Sequence, residues 1–152
     1  MTKLTPKDSK PDRDDFIWIL SVDGSSNLRG DGAGIKLEGP NGLMLEQLLK
    51  FSFKASNNQV EYEALIVGML LAKELGAHWL LAKSDSLLIT GQISGYYQAK
   101  DPQLASYLGY VKDLRETFSI FYLVHVQREQ NTRAYLLSKL SNSGKVGGHT
   151  DL

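Results

Sequence analysis

The sequence predicts an α/β fold built on a mixed β-sheet. Three apolar stretches in the first half have the composition of strands, and a Gly-Pro-Asn-Gly turn joins two of them as an antiparallel hairpin. Beyond residue 56 the apolar residues recur at helical spacing, and two further strand-like stretches are separated by helical ones. Strands joined through helices tend to run parallel, so the predicted sheet contains both orientations.

The first half is predicted to form an antiparallel meander. Phe16–Val22 combines aromatic and β-branched residues, which is typical of a buried strand. Gly32–Glu38 and Leu43–Phe53 flank the turn Gly39–Gly42 and supply the next two strands. Together these stretches predict three consecutive antiparallel strands.

A long helix is predicted next. It ends before Gly76, a residue suited to the left-handed conformation that follows many helices. Its apolar face carries Val60, Ala64, Val67, Leu71 and Leu75.

The rest of the chain is predicted to alternate strands and helices. Trp79–Lys83 predicts a short strand and Ser86–Ser94 a helix, and Asp101-Pro102 opens another helix. Phe118–Val126 is apolar enough for a central strand, and Asn131–Leu140 predicts a closing helix.

The composition predicts one globular domain between two flexible ends. A length of 152 residues with 42% hydrophobic residues suits a single core. Residues 1–15, rich in Lys, Asp and Pro, are expected to be a linker, and residues 16–141 the domain. The Gly- and Ser-rich residues 142–152 are expected to be a flexible tail.

Several classes of protein are excluded by composition and charge. The absence of cysteine rules out a disulfide framework and a Cys-ligated metal site. With no membrane-length apolar run and no secretory signal, we expect an intracellular protein of the cytoplasm or nucleus without a membrane partner. The 17 Lys and Arg residues balance the 17 Asp and Glu residues, so contact with nucleic acid would have to come from local groups.

Three acidic residues fall where the predicted elements meet. Asp23 follows the first strand, Asp85 follows the fourth, and Glu61 lies in the predicted first turn of the long helix. If the first and fourth strands are parallel neighbours, Asp23 and Asp85 emerge side by side, and the helix can add Glu61. Oxygen ligands without His or Cys favour Mg²⁺ or Mn²⁺, so the pattern indicates a site for one of these ions.

Each acid also has a purely structural interpretation. Asp23-Gly24 is compatible with a simple turn, Asn58 and Glu61 with a capping box, and Asp85 with a helix N-cap. Taken singly, the structural interpretations are favoured. Taken together, the three positions favour the metal site, because three unrelated caps need not fall at the ends of neighbouring elements.

The domain resembles the ribonuclease H domain of gypsy-type long-terminal-repeat retrotransposon polyproteins, a family familiar from plant genomes. The resemblance covers about residues 16–141, nearly all of the predicted domain, and its motifs keep their order and spacing. The residues that carry it are Trp18–Asn27, Gly32–Ile35, Phe53–Ile66, Leu71–Gly76, Ser84–Ser86, Ala99–Pro102 and His125–Asn131.

The resemblance implies a fold, an activity and a set of site residues. It implies the ribonuclease H-like fold, a five-stranded mixed sheet with helices on both faces, and hydrolysis of the RNA strand of RNA–DNA hybrids by two-metal-ion catalysis. Asp23, Glu61 and Asp85 match the first three acids of the family's Mg²⁺ or Mn²⁺ site. The family's nucleic-acid-contacting positions are matched by Asn27, Ser56, Asn57 and Asn58. A reverse transcriptase portion of a polyprotein is an implied partner.

The resemblance fails at the family's fourth acid. Here the run Asn131-Thr-Arg-Ala-Tyr-Leu-Leu-Ser places Tyr135 at that position. A neutral phenol is a poor ligand for Mg²⁺, so the substitution predicts a weakened metal site. Two functions remain open: a ribonuclease H-type endonuclease impaired by Tyr135, or a catalytically inactive module that binds nucleic acid or protein.

The tyrosines of the second half have two interpretations. Exposed rings can stack on nucleic-acid bases, but such residues more often cover the boundary between helices and sheet. The residues concerned are Tyr96, Tyr97, Tyr107 and Tyr110.

Overall fold

The computed structural model describes residues 16–27, 30–51, 56–127, 137 and 139–141, with the side chains of residues 24–27 and 30–31 left aside. The predicted linker and tail lie outside the described residues, as do Tyr135 and most of the predicted closing helix.

A five-stranded mixed sheet forms the centre of the fold, as predicted. The strands are β1 (Ile17–Asn27), β2 (Gly30–Glu38), β3 (Met44–Phe51), β4 (Trp79–Ser84) and β5 (Ile120–His125). Their order across the sheet is β3-β2-β1-β4-β5, with β1, β2 and β3 antiparallel and β1, β4 and β5 parallel. The helices are α1 (Asn57–Glu74), α2 (Leu87–Ser94) and α3 (Pro102–Arg115).

The first strand is longer than the sequence predicted. It continues past Val22 to Asn27, and Asp23 is paired with Gly34 inside the β1–β2 ladder. The alternative in which Asp23-Gly24 forms only a turn is therefore wrong. The β2–β3 turn is where it was predicted, as a 3₁₀ turn at Pro40–Gly42 in which Asn41 has a positive φ of 61°.

The long helix α1 packs across β1 and β2. Of its predicted apolar face, Val60 and Ala64 are buried in one core with Leu20 of β1, Val67 and Leu71 pack against that core, and Leu75 is 41% exposed. The helix approaches the sheet closely at Gly68, where a Cβ atom would lie 2.5 Å from Cδ1 of Leu20. The chain turns after the helix at Gly76, whose φ of 97° confirms the predicted left-handed residue.

The fifth strand occupies an edge of the sheet and not the centre, so its predicted position is wrong. It pairs with β4, and Tyr122 and Val124 are exposed although both are apolar or aromatic. Helix α2 packs against β5, and α3 packs against α1. The apolar composition of Phe118–Val126 thus reflects an edge strand with exposed aromatic and aliphatic side chains.

None of the described helices combines the length and apolar character needed to cross a membrane.

Candidate metal centre

Asp23, Glu61 and Asp85 converge at one point of the fold. Each offers a carboxylate oxygen, and these three oxygens lie within 4.8 Å of one another. Asp23 is fully buried, Glu61 is 3% exposed, and Asp85 is half-buried. The cluster is thus an acidic site set into the protein and not a patch of solvated surface.

The sheet register explains why two of the acids meet. Val22 of β1 lies opposite Ser84 of β4 in a parallel pair, and each of these residues is followed in the chain by an aspartate. Because parallel strands present the same ends at the same edge, Asp23 and Asp85 emerge together. Helix α1 crosses this edge and supplies Glu61, which lies in its second turn and not, as predicted, in its first.

Glu61 and Asp85 are not helix caps. The interpretations of Asn58 and Glu61 as a capping box and of Asp85 as an N-cap are therefore wrong. The N-cap of α1 is Ser56, whose Oγ accepts from the Gln59 backbone N–H at 3.1 Å, while the Gln59 side chain accepts from the Ser56 N–H at 2.8 Å. The N-cap of α2 is Ser86, whose Oγ accepts from the Ile89 N–H at 3.1 Å. Serines therefore cap both helices, and the carboxylates of Glu61 and Asp85 lie together in the acid cluster.

The donor set fits a hard divalent cation. All three groups are carboxylates, the ligands that Mg²⁺ and Mn²⁺ prefer, and His and Cys take no part in the cluster. Oδ1 of Asp23 and Oδ2 of Asp85 are buried oxygens without a hydrogen bond, although both residues make other interactions. Buried like charges at this spacing repel one another, and a bound cation relieves that repulsion.

Ser84 is a residue of this site to which the sequence analysis assigned no role. It is fully buried, and its hydroxyl donates a hydrogen bond to Oε2 of Glu61. The Ser84 hydroxyl oxygen in turn accepts from the backbone N–H of Ser86 at 3.0 Å. The position of Ser84 directly before Asp85 was the available signal, but the direction of its side chain depends on the sheet register.

The residues that flank Glu61 tie α1 to the other helices. The Tyr62 hydroxyl donates to Oε1 of Gln92 at 2.7 Å, and the Tyr107 hydroxyl donates to Oε2 of Glu63 at 2.7 Å. The rings of Tyr62 and Tyr107 stack, with centroids 5.6 Å apart and an interplanar angle of 11°. Glu63 is thus directed towards α3 and not towards the acid cluster.

Both tyrosines of this network have perturbed acidities. Burial raises the pKa of Tyr62 to about 12. Burial, assisted by the hydrogen bond to Glu63 and its charge, raises the pKa of Tyr107 to about 12. Both phenols therefore stay protonated at neutral pH.

The predicted nucleic-acid-contacting residues lie near the start of α1. Ser56 and Asn57 are exposed and Asn58 is half-buried at the N-terminal end of the helix that carries Glu61. Ser56 also serves as the N-cap. Asn27 lies at the end of β1, and its side chain is outside the described part of the molecule.

The four tyrosines divide into two groups. Tyr107 is part of the structural network, whereas Tyr96 and Tyr97 are 86% and 45% exposed and Tyr110 is 47% exposed. Tyr96 and Tyr97 line a cavity of about 440 Å³ between α2 and the end of β5, beside His125. Tyr107 therefore has a structural role in packing between helices and is not an exposed ring available for stacking on bases.

The sequence of this domain matches a known protein family. Residues 21–141 match the family described as reverse transcriptase-like. The chain belongs to this family. The matched range includes all three acids of the cluster.

Relatives of this reverse transcriptase-like domain include a ribonuclease and a protein of uncharacterized function. Over 85 residues it is 33% identical to ribonuclease HI of Halobacterium salinarum, a match that covers 56% of this chain and 43% of that protein. It is 30% identical to the uncharacterized protein YpeP of Bacillus subtilis, with 100% of this chain and 70% of that protein covered. The match therefore spans less than half the length of the halobacterial ribonuclease.

Solved structures show the same fold. Ribonuclease H1 from Halobacterium salinarum superposes with a TM-score of 0.78 at 26% identity, covering 85% of this chain and 99% of that one. LC11 ribonuclease H1 in complex with an RNA/DNA hybrid gives 0.74 at 25% identity, covering 83% and 96%. The protease–reverse transcriptase of prototype foamy virus, at 15% identity and a TM-score of 0.67, shares the fold over 94% of this chain and 23% of that one. The reverse transcriptase-like chain is thus a ribonuclease H-like domain homologous to ribonuclease H1 enzymes, and the predicted fold is confirmed.

Proposed function

We propose that the protein is a ribonuclease H-type endonuclease that hydrolyses the RNA strand of RNA–DNA hybrids and requires Mg²⁺ or Mn²⁺. The observation that carries the proposal is the convergence of three carboxylates within 4.8 Å in a domain homologous to ribonucleases H1. The known complex of LC11 ribonuclease H1 with an RNA/DNA hybrid supports the choice of substrate.

Asp23, Glu61 and Asp85 would hold the divalent ions. The ions, when bound, would activate water and stabilise the leaving oxygen. Hydrolysis adds a water oxygen to phosphorus and breaks the bond from phosphorus to the leaving oxygen. The chain contributes a preorganised set of carboxylates, because Asp23 lies in β1, Asp85 directly follows the neighbouring strand β4, and Glu61 is held on α1.

Binding of the hybrid is assigned to polar groups next to the acids. Ser56, Asn57 and Asn58 precede Glu61 at the N-terminal end of α1, and Asn27 ends β1. An A-like hybrid is recognised through sugar hydroxyls and phosphates, which such small polar side chains can contact. With a net charge of zero the protein should bind weakly and salt-sensitively.

Tyr135 supports a second candidate function. It replaces the acid that the resembling family has at this position, so one anionic ligand is missing. The alternative is a catalytically inactive module that retains contact with nucleic acid or protein. For the first candidate the same substitution makes the expected activity weak, with Mn²⁺ preferred over Mg²⁺.

The origin and setting of the protein are part of the proposal. The gypsy-type motifs support descent from a retrotransposon polyprotein, in which a reverse transcriptase portion would be the neighbouring partner. The absence of cysteine is compatible with an intracellular location.

Cleavage of a labelled RNA–DNA hybrid tests the two candidates directly. We expect the wild-type protein to cleave the RNA strand in Mn²⁺, Asp85→Asn to abolish cleavage, and Tyr135→Asp to increase it, above all in Mg²⁺. Asp113→Asn, at an exposed position on α3, is the matched control and should cleave like the wild type. No cleavage by the wild type together with recovery in Tyr135→Asp would favour the inactive module.

A further inference from the structure

Ser84 is related to each of the three acids, to one by a side-chain hydrogen bond and to the other two by its position in the chain and in the sheet. In the chain it directly precedes Asp85, and in the parallel ladder it lies opposite Val22, which directly precedes Asp23. Its hydroxyl donates to Oε2 of Glu61. Ser84 thus contacts Glu61 through its side chain and is linked to the two aspartates through the backbone.

The hydrogen bonds around Ser84 define the direction of its proton. The hydroxyl oxygen already accepts from the Ser86 N–H at 3.0 Å, so its single hydrogen points to Glu61. The backbone of Ser84 is held as firmly, because β4 is paired on both sides and the Val126 N–H donates to the Ser84 carbonyl at 2.9 Å. The donor presented to Glu61 is therefore fixed in both position and orientation.

A fixed donor restricts the carboxylate that accepts from it. A carboxylate group has two oxygens and about four lone-pair sites, so a hydrogen bond to Oε2 of Glu61 limits rotation of the group without using up its capacity as a ligand. Hydrogen bonds of this kind orient metal-binding groups in proteins, and their loss typically weakens metal affinity by about 10- to 100-fold.

We propose that Ser84 is a positioning residue of the metal centre, which fixes the carboxylate of Glu61 relative to Asp23 and Asp85 and thereby raises the affinity for the divalent ion. This inference rests on the proposed function, because it assumes that the three acids bind a metal ion. Ser84 itself is not a catalytic residue, since it acts through Glu61.

Calorimetric titration of the full-length protein with Mn²⁺ in the absence of nucleic acid tests the inference. We expect Ser84→Ala to bind Mn²⁺ about 10-fold more weakly than the wild type or worse. Ser84→Thr, which keeps the hydroxyl, should bind within about threefold of the wild type. Wild-type affinity in Ser84→Ala would overturn the inference.

A matched control separates positioning from simple stability. Ser86→Ala removes the side-chain cap of α2, next to Asp85, and should lower the thermal unfolding temperature while leaving Mn²⁺ affinity unchanged. If Ser86→Ala weakened Mn²⁺ binding as much as Ser84→Ala does, a general loosening of the β4–α2 connection would explain the loss of affinity. That result would overturn the inference.

A double-mutant cycle tests the route through Glu61. In a Glu61→Gln background, Ser84→Ala should change the remaining Mn²⁺ affinity by less than about twofold, because the carboxylate that Ser84 orients is gone. A further 10-fold loss in that background would contradict the assigned route.

The outcomes also separate this inference from the proposed function. If the wild type binds Mn²⁺ and Ser84→Ala binds it equally well, the role of Ser84 fails and the nuclease proposal stands. If Ser84→Ala weakens binding but the wild type cleaves no hybrid in either metal, the positioning role stands and the nuclease proposal fails. A wild type that binds no Mn²⁺ overturns both.

Discussion

The Tyr62 hydroxyl and the Gln92 side chain form a buried hydrogen bond of 2.7 Å between α1 and α2. Tyr62 is fully buried and Gln92 is 3% exposed, so water cannot readily replace either partner. Because Tyr62 follows Glu61 directly, this bond fixes α1 close to the acid cluster.

Tyr62→Phe should lower the unfolding free energy by about 1–3 kcal/mol, because it leaves the Gln92 oxygen buried without its donor. Urea unfolding monitored by circular dichroism measures the change. Tyr122→Phe, which removes a hydroxyl from a ring that is 59% exposed, should change the value by less than about 0.5 kcal/mol. Equal effects of the two substitutions would refute the importance of the buried bond.

Alkaline titration should reveal two late tyrosines. The pKa values of Tyr62 and Tyr107 are raised to about 12 in the folded protein, against about 10 in an unfolded chain. A raised pKa means that the stabilising contribution of these phenols is complete below pH ~10 and is lost as the pH rises towards ~12.

Ultraviolet absorbance of tyrosinate is the measurement for this titration. A separate late step in the folded wild type should disappear in the Tyr62→Phe, Tyr107→Phe double variant. A single step near pH ~10 in the folded wild type would contradict the expectation.

Gly68→Ala should destabilise the protein by about 1–3 kcal/mol, because a Cβ atom at this position would lie 2.5 Å from Cδ1 of Leu20. Gly109→Ala is the matched control: it lies in the middle of α3, and a Cβ atom there meets nothing within 4 Å. That variant should gain about 0.5–1 kcal/mol from the better helix propensity of alanine. Thermal unfolding of the two variants should therefore shift in opposite directions.

Asp85→Asn should stabilise the metal-free protein while removing its response to metal. The three acid oxygens lie within 4.8 Å, so neutralising one relieves a repulsion on the order of 1 kcal/mol. Thermal unfolding in EDTA and in Mn²⁺ measures both effects. We expect Mn²⁺ to raise the transition temperature of the wild type and to leave that of Asp85→Asn nearly unchanged. A variant less stable than the wild type in EDTA would show that Asp85 has a structural role.

The sequence predicted the elements of the fold well because their signals are local. The turn at Pro40–Gly42, the left-handed Gly76 and the Asp101 cap that opens α3 each depend on a few neighbouring residues. The edge position of β5 was missed, since strand order depends on pairing between distant segments. An apolar strand does not reveal whether one or both of its edges are paired.

The acids of the candidate site could be identified from the sequence, but the helix caps beside them and the contact of Ser84 could not. Asp23 and Asp85 could be found because each comes directly after an apolar, strand-like stretch of the sequence, and Glu61 because it lies near the start of α1. The caps were assigned to the wrong residues, since Ser56 and Ser86 were equally good candidates in the sequence. Ser84 escaped notice because a hydroxyl carries no charge and its hydrogen bond to Glu61 exists only in the assembled sheet.

The parallel pairing of β1 with β4 brings together Val22 and Ser84, which are more than 60 positions apart in the chain. The antiparallel β1–β2–β3 meander can form from neighbouring segments, but this parallel contact closes a long loop that contains α1. During synthesis, the acid cluster therefore cannot form until residue 85 has left the ribosome, even if the meander is already folded. A fragment cut within α1 lacks the cluster for the same reason. Binding of a divalent ion would therefore report that β4 has paired with β1 and that the domain is fully folded.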